Sequence, residues 1–231
     1  MKSQVLQITA IVAATIVQGY EFVRLNKTDA ALLIVDHQIG LATLVRDYEP
    51  TVFRQSVIAH AAIGNLFNLP TIMTTSAETG PNGKLPKEVT DLHPNAPYIK
   101  RNGEVDAWDN PEFKAAVKAT GKSQMIIAGI VTEVCTSFLA LSLRAEGYEV
   151  FANTEASGTF NDKLAADANR RMEGAGVHLM GMFGIVADLQ RDWRNTSPNA
   201  TEVFAYMDKY QAPVALMARH YSDAISSAGN A

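Results

Sequence analysis

The sequence of 231 residues lacks the means for covalent cross-linking, because it has one cysteine, Cys135. A single cysteine excludes an intramolecular disulfide framework and a cysteine-based zinc cluster. The histidines are also scattered without the spacing of metal ligands: His37, His60, His93, His178 and His220. We therefore predict no metal site. Cys135 is either an inert buried thiol or a reactive one, and its position must decide between them.

Positive charge is scarce as well. The net charge is -4, so the chain has no basic footprint of the kind that a nucleic-acid-binding protein needs. No apolar run is long enough to span a bilayer. These absences favour a small-molecule substrate over a nucleic acid or a membrane. With 47% hydrophobic and 19% charged residues, the chain can bury one sizeable core.

The N-terminus is apolar over residues 5–17, interrupted by Gln7, Thr9 and Thr15. Small residues near Gly19 offer a cleavage point, so residues 1–19 are interpreted as a signal peptide, the alternative being an N-terminal extension packed on the body. We therefore favour export to the periplasm or the medium, with a cytoplasmic protein as the alternative.

Short β-rich runs then alternate with stretches of helical spacing. The predicted strands are residues 31–36, 71–76, 98–100, 124–131, 149–153 and 177–181. This alternation predicts βαβ units. The expected fold is a three-layer α/β/α domain over residues 20–195, with a six-stranded, mostly parallel, doubly wound, Rossmann-like sheet. Residues 196–231 are predicted to form a helical extension that makes oligomer contacts.

Chemically active residues follow several of these strands. Ligands of an open parallel sheet bind beyond the carboxyl ends of its strands. The first strand ends on Asp36, the third on Lys100 and Arg101, and the fourth leads to Cys135 at the start of a helix. A helix start and a nearby cation lower a thiol pKa, and a carboxylate can accept the thiol proton. The arrangement predicts an acyl-transfer site.

Residues 33–38 and 127–135, which contain Asp36 and Cys135, resemble the isochorismatase-like cysteine hydrolase superfamily. Nicotinamidases, N-carbamoylsarcosine amidohydrolases and isochorismatases belong to it. The likeness covers residues 24–195 and is closer to the superfamily's uncharacterised octameric bacterial hydrolases, on the segments 29–31, 78–83, 107–110, 156–161 and 191–195. It implies an isochorismatase-like fold and a homo-oligomer, with an octamer as the expected form.

The resemblance also implies a catalytic triad of Asp36, Cys135 and a basic residue. Arg101 is our choice for the third position, and Lys100 is the alternative. Arginine stays protonated, so it can stabilise negative charge but cannot shuttle a proton. The family further has a cis peptide bond, which maps to Val131–Thr132, and an oxyanion hole, which maps to the N–H groups of Thr132 and Cys135.

The sequence differs from those of nicotinamidases, because their metal-binding aspartate and histidines have no match in it. The retained Cys135 favours hydrolysis of a C–N (amide-type) bond through a thioester, with no cofactor. Two alternatives stay open: general-acid cleavage of the isochorismatase type, which needs no thiol, and a non-catalytic oligomeric binding protein. Trp108, Ser76 and Phe160 are the candidate residues of the substrate pocket wall.

Overall fold

A computed structural model describes residues 22–211, 213–217, 219–220 and 223. The predicted signal peptide, residues 1–19, lies outside the described residues. The strands are β1 (Ala30–Val35), β2 (Thr71–Ser76), β3 (Tyr98–Arg101), β4 (Gln124–Gly129), β5 (Glu149–Asn153) and β6 (His178–Met180). The α-helices are α1 (Pro50–Phe67), α2 (Lys87–Leu92), α3 (Pro111–Ala119), α4 (Ser137–Ala145), α5 (Asp162–Gly174), α6 (Met182–Gln190) and α7 (Ala200–Tyr210).

The six strands form one sheet in the order β3-β2-β1-β4-β5-β6, and every strand pair in it is parallel. This confirms the predicted α/β/α fold. The strand order reverses between β1 and β4, where Val35 pairs with Gly129. The carboxyl ends of these two strands form the crevice at which ligands bind in doubly wound sheets. Asp36 follows β1 directly, and Cys135 lies on the turn after β4.

Two apolar layers hold the helices on the sheet. Alternate residues of β1 point to opposite faces, so Leu32 and Ile34 enter the core beneath α1, α6 and α7. Leu33 and Val35 enter the other core, beneath α3 and α4. All residues of β1 and β4 are buried, as expected for central strands covered on both sides.

The segment after β4 differs from its prediction. The predicted strand, residues 124–131, ends at Gly129, and a π-helical turn, Thr132–Thr136, precedes α4. The Thr136 N–H reaches back five residues to the Val131 carbonyl, at 3.3 Å, which widens this turn. Cys135 therefore lies on a wide turn and not on a regular helix start.

The C-terminal extension contains a helix, as expected. The Asn199 side chain and Glu202 form a capping box at the start of α7. The buried face of α7 includes Val203 and Met207, and the Tyr206 hydroxyl donates to the Ala59 carbonyl of α1 at 2.9 Å. This face packs on its own chain, and oligomer contact by the extension stays a prediction. Within the described residues, no helix has both the length and the apolar character needed to cross a membrane.

Gly129 provides a test of how closely β1 and β4 approach. A Cβ at this position would lie 2.5 Å from the Val35 carbonyl oxygen, whereas one at Gly103 would meet no atom within 4 Å. We expect Gly129→Ala to lower the free energy of unfolding by about 1–3 kcal/mol, because the two strands must separate. Gly103→Ala is the control, and chemical denaturation measures both. Equal stability of the two variants would contradict this packing.

Candidate active site

Asp36 occupies the first position after β1, with a left-handed backbone at φ 53°. Aspartate tolerates this conformation better than most residues, and such conformations concentrate at functional sites. The Asp36 N–H donates to the Thr74 carbonyl at 3.0 Å, which ties the residue to β2. Its side chain is fully buried, and both carboxylate oxygens accept hydrogen bonds from Nη2 of Arg101.

Arg101 ends β3 and reaches across β2 to this carboxylate. Its Nε donates to the Thr74 hydroxyl at 3.0 Å, and its Nη1 donates to the carbonyls of Glu104 and Val105. A guanidinium group has five N–H donors, and the protein accepts a bond from each of its three nitrogens. The group is therefore held by protein acceptors, and its charge acts through Asp36.

Lys100 points away from this pair, because successive strand residues face opposite sides of the sheet. Its side chain is 58% exposed and forms an ion pair with Glu78, at 3.3 Å. The structure thus brings Arg101, and not Lys100, to the candidate site. Strand alternation carries this signal in the sequence, since Arg101 shares its side of β3 with the buried Ile99.

The thiol of Cys135 lies beside the Asp36 carboxylate and the Val131 N–H, and both groups influence its pKa. Burial raises the thiol pKa, and the negative charge of Asp36 raises it further, against the opposing effect of Arg101. The nearby cation lowers this pKa as expected, but burial and Asp36 outweigh it, so the net shift is upward. Burial also raises the pKa of Asp36, although Arg101 opposes the rise. The resting thiol keeps its proton beside a buried acceptor.

The backbone beside the thiol corrects two predictions. The cis peptide bond joins Ile130 and Val131, one residue before the predicted Val131–Thr132 bond. The N–H of Thr132 donates to the Gly158 carbonyl at 3.1 Å, so the oxyanion role predicted for it is wrong in this geometry. The Val131 N–H lies near the sulfur instead. The role of the Cys135 N–H in an oxyanion hole stays a prediction.

The three predicted pocket residues lie apart. Trp108 packs edge-on against Tyr148, with ring centroids 5.8 Å apart, and Lys114 Nζ lies 4.9 Å from its centroid. This buried position between helices makes Trp108 a packing residue, so its prediction as a pocket wall is wrong. Phe160 is 44% exposed, and Ser76 ends β2 partly buried. The substrate contacts of Phe160 and Ser76 stay predictions.

Gln38 is a positioning residue that the sequence reasoning missed. Its buried amide pairs with both backbone groups of Ser76, accepting from the N–H at 2.8 Å and donating to the carbonyl at 3.0 Å. It also donates to the Gly83 carbonyl at 2.5 Å. Gln38 thereby attaches the loop after β2 to the catalytic edge. Its place two residues after Asp36, in the Val-Asp-x-Gln pattern, was the available signal.

The buried histidine rings are hydrogen-bonded to main-chain carbonyls. Ring Nε2 atoms lie within hydrogen-bond distance of main-chain carbonyls in His37 (Ala156, 2.7 Å), His60 (Leu33, 3.2 Å) and His93 (Ala61, 2.7 Å). Across the part of the chain that the structure describes, no group of three histidine, cysteine, aspartate or glutamate side chains could hold a metal ion.

The chain is similar to known proteins. The family model "Isochorismatase domain" matches residues 30–182. "Probable hydrolase YcaC" of Escherichia coli strain K12 is 53% identical over 184 residues, covering 80% of this chain and 88% of the relative. The matched region contains Asp36, Arg101 and Cys135.

Two solved structures are similar over nearly the whole described chain. YcaC from Pseudomonas aeruginosa, solved with hexane-2,5-diol and covalent acrylamide, has a TM-score of 0.85 and 47% identity, covering 88% of this chain and 100% of that one. The YcaC gene product of Escherichia coli, described as an octameric hydrolase of unknown specificity, has a TM-score of 0.85 and 49% identity, covering 88% and 98%.

The buried ion pair makes a stability prediction that separates Arg101 from Lys100. Arg101→Met leaves the Asp36 carboxylate buried without its counter-charge, and we expect a loss of about 3–5 kcal/mol at neutral pH. Lys100→Met is the matched control and should cost less than about 1 kcal/mol, because Lys100 itself is exposed and Glu78 keeps the hydrogen bonds from Thr75 and Tyr98. Denaturant unfolding measures both.

The loss in Arg101→Met should depend on pH. Without Arg101 the pKa of Asp36 rises further above its ordinary 3.8. A carboxyl group with a raised pKa in the folded state favours folding at low pH, and this contribution is lost as the pH rises through that pKa. The variant should therefore be closest to the wild type near pH 4 and furthest from it at pH 7. A pH-independent difference would contradict the assignment.

Proposed function

This chain belongs to the isochorismatase family, and from that premise we propose that it is a cysteine hydrolase that cleaves a C–N (amide-type) bond of a small molecule. One observation carries the proposal: the sole thiol, Cys135, lies beside a buried carboxylate, Asp36, that is itself tied to Arg101. A nucleophile paired with a base, and the base oriented by a third group, is the arrangement of covalent catalysis.

In the proposed reaction the thiol proton moves to Asp36 as the sulfur attacks the substrate carbonyl carbon. The oxyanion of the tetrahedral intermediate is held by the N–H groups of Val131 and Cys135. When the C–N bond breaks, Asp36 returns its proton to the leaving amine, and a thioester on Cys135 remains. Asp36 then removes a proton from water, and the hydroxide attacks the thioester. As the C–S bond breaks and the acid product leaves, Asp36 gives this proton to the Cys135 thiolate.

The direction of the pKa shifts suits this sequence. Burial raises the pKa of Asp36, which makes it a better proton acceptor than an ordinary exposed carboxylate. Arg101 stays charged throughout, so it keeps Asp36 ionised at rest but does not carry the proton itself. A thiol whose pKa is raised also stays protonated, and therefore less open to oxidation, until a substrate is present.

The Pseudomonas aeruginosa structure with covalent acrylamide supports a nucleophile in this fold. Acrylamide is an electrophilic alkene that thiolates attack, and it carries an amide group. In this chain Cys135 is the only cysteine, so it is the residue we propose to form the corresponding bond. The net charge of -4 is consistent with a small-molecule substrate.

General-acid cleavage without the thiol is the second candidate, because burial favours the protonated form of Asp36. The two candidates differ in their need for Cys135. We expect Cys135→Ala to abolish ammonia release from every amide that the wild type hydrolyses, and to prevent acrylamide addition as followed by intact mass. Asp36→Asn should lower turnover at least about 100-fold, the contribution of a general base.

Full turnover by Cys135→Ala, with Asp36→Asn inactive, would favour the general-acid mechanism. Asp109→Asn, on an exposed turn, is the control for loss of a carboxylate. If no amide is hydrolysed and Cys135 does not react with acrylamide at any pH, the proposal fails and a non-catalytic binding protein is favoured.

We further propose that the chain forms a homo-octamer, as described for the Escherichia coli relative. Size-exclusion chromatography with light scattering should give a mass eight times that of the chain. Trp193 is 45% exposed and stacks on Phe204, with ring centroids 5.2 Å apart, which makes this aromatic pair a candidate contact. Trp193→Glu should reduce the mass, whereas an unchanged mass would remove the pair from the interface.

A further inference from the structure

A cavity of about 780 Å³ opens on the catalytic edge, on the α1 side of the sheet. It lies between residues 39–46, the first half of α1 and residues 84–88. Its volume falls within the range of small-molecule sites. Asp36, Arg101 and Cys135 do not line it, whereas their neighbours His37 and Ile130 do. The cavity is therefore adjacent to the candidate active site and separate from it.

Most of the cavity wall is apolar. The wall side chains include Ile39, Val45, Phe53, Val57, Ile58 and Leu85. Ile39 is 58% exposed, although large apolar residues normally avoid water when a core is available. An apolar body in the cavity would cover this side chain and remove the exposed area from water.

One buried polar atom in the wall has no partner. His37 is 1% exposed, and its Nε2 lies 2.7 Å from the Ala156 carbonyl, so this nitrogen carries the ring proton. Burial lowers the pKa of His37 to about 4, which keeps the ring neutral and leaves Nδ1 as an acceptor. Among the described residues, Nδ1 has no hydrogen-bond partner. Buried polar atoms are usually satisfied, so this enclosed nitrogen is an exception beside the cavity.

The charge around the cavity is mostly positive. Arg54 is paired with Glu88, and Lys87 is paired with Asp91. Within each exposed pair, the acidic residue neutralises the charge of the basic one. Glu88 is the acidic residue that lines the cavity.

Two further lining cations remain. Arg46 is exposed and donates to the Val45 carbonyl at 2.7 Å, and Lys84 is exposed as well. Neither has an acidic partner in the described parts of the chain. An unpaired cation pair beside an apolar volume is complementary to an anion that has an apolar body.

We propose that this cavity is a second ligand site, which takes a small amphipathic organic anion. The apolar body of the ligand lies between α1 and the two loops, and its acidic group lies at Arg46 and Lys84. This site does not depend on the proposed hydrolysis.

The experiment uses the full-length assembled protein and 8-anilinonaphthalene-1-sulfonate, a fluorescent probe with an aromatic body, a sulfonate and an N–H. We expect saturable binding with one site per chain. Decanoate should displace the probe, and decan-1-ol, which lacks the charge, should displace it less well. Cys135→Ala should bind the probe like the wild type, so a failure here is distinguishable from a failure of the proposed hydrolysis.

Charge reversal tests the two cations. The double variant Arg46→Glu/Lys84→Glu should weaken binding about tenfold or more, which corresponds to roughly 1.4 kcal/mol. The control is Lys118→Glu/Lys163→Glu, which changes the net charge equally at exposed positions of α3 and α5. Equal weakening by both double variants would overturn the site, since a general charge effect would then explain it.

A steric variant tests the cavity itself. Ala42 lines the cavity from an exposed turn, so Ala42→Trp fills space without altering the core. Binding should be lost while the circular dichroism spectrum is retained. Retained binding overturns the proposal. Absent binding to the wild type also overturns it, and a changed assembly mass in Ala42→Trp would then assign the cavity to a contact between copies of the chain.

Discussion

The buried ion pair between Asp36 and Arg101 is the interaction on which the catalytic edge depends. It joins the ends of β1 and β3 across β2, and Thr74 of β2 contributes a hydroxyl to the same guanidinium group. Taking two charges out of water is costly, and only good geometry with further hydrogen bonds offsets that cost. The pair therefore requires the three strand ends to keep their positions, and these positions fix the carboxylate beside the Cys135 thiol.

Much of this arrangement follows from the sequence for simple reasons. Strand and helix periods alternate along the chain, so a parallel sheet with two helical layers is expected. The site residues follow from one rule, that ligands bind at the carboxyl ends of strands. Asp36 directly follows the fully buried β1, and Cys135 lies on the turn that follows the fully buried β4.

The remaining details depend on three-dimensional contacts that no local pattern contains. The sign of the thiol pKa shift is set by burial and by Asp36, which is distant in sequence, and these outweigh the cation. The N–H of Thr132 is taken by Gly158 on a neighbouring segment. From the sequence, Trp108 fits a pocket wall and a packing position between helices equally well, and only its contact with Tyr148 distinguishes the two.

The saturated guanidinium of Arg101 has a consequence for how this site can change over evolutionary time. A lysine at the same position has three donors on one nitrogen, so it could not serve Asp36, Thr74 and the turn carbonyls of Glu104 and Val105 together. The lysine would leave carbonyl acceptors in that turn without partners, and each unpaired acceptor would lower the stability of the fold. Arginine at position 101 and the backbone shape of the following turn therefore depend on each other. A lineage that exchanges arginine for lysine must rebuild the turn in the same step.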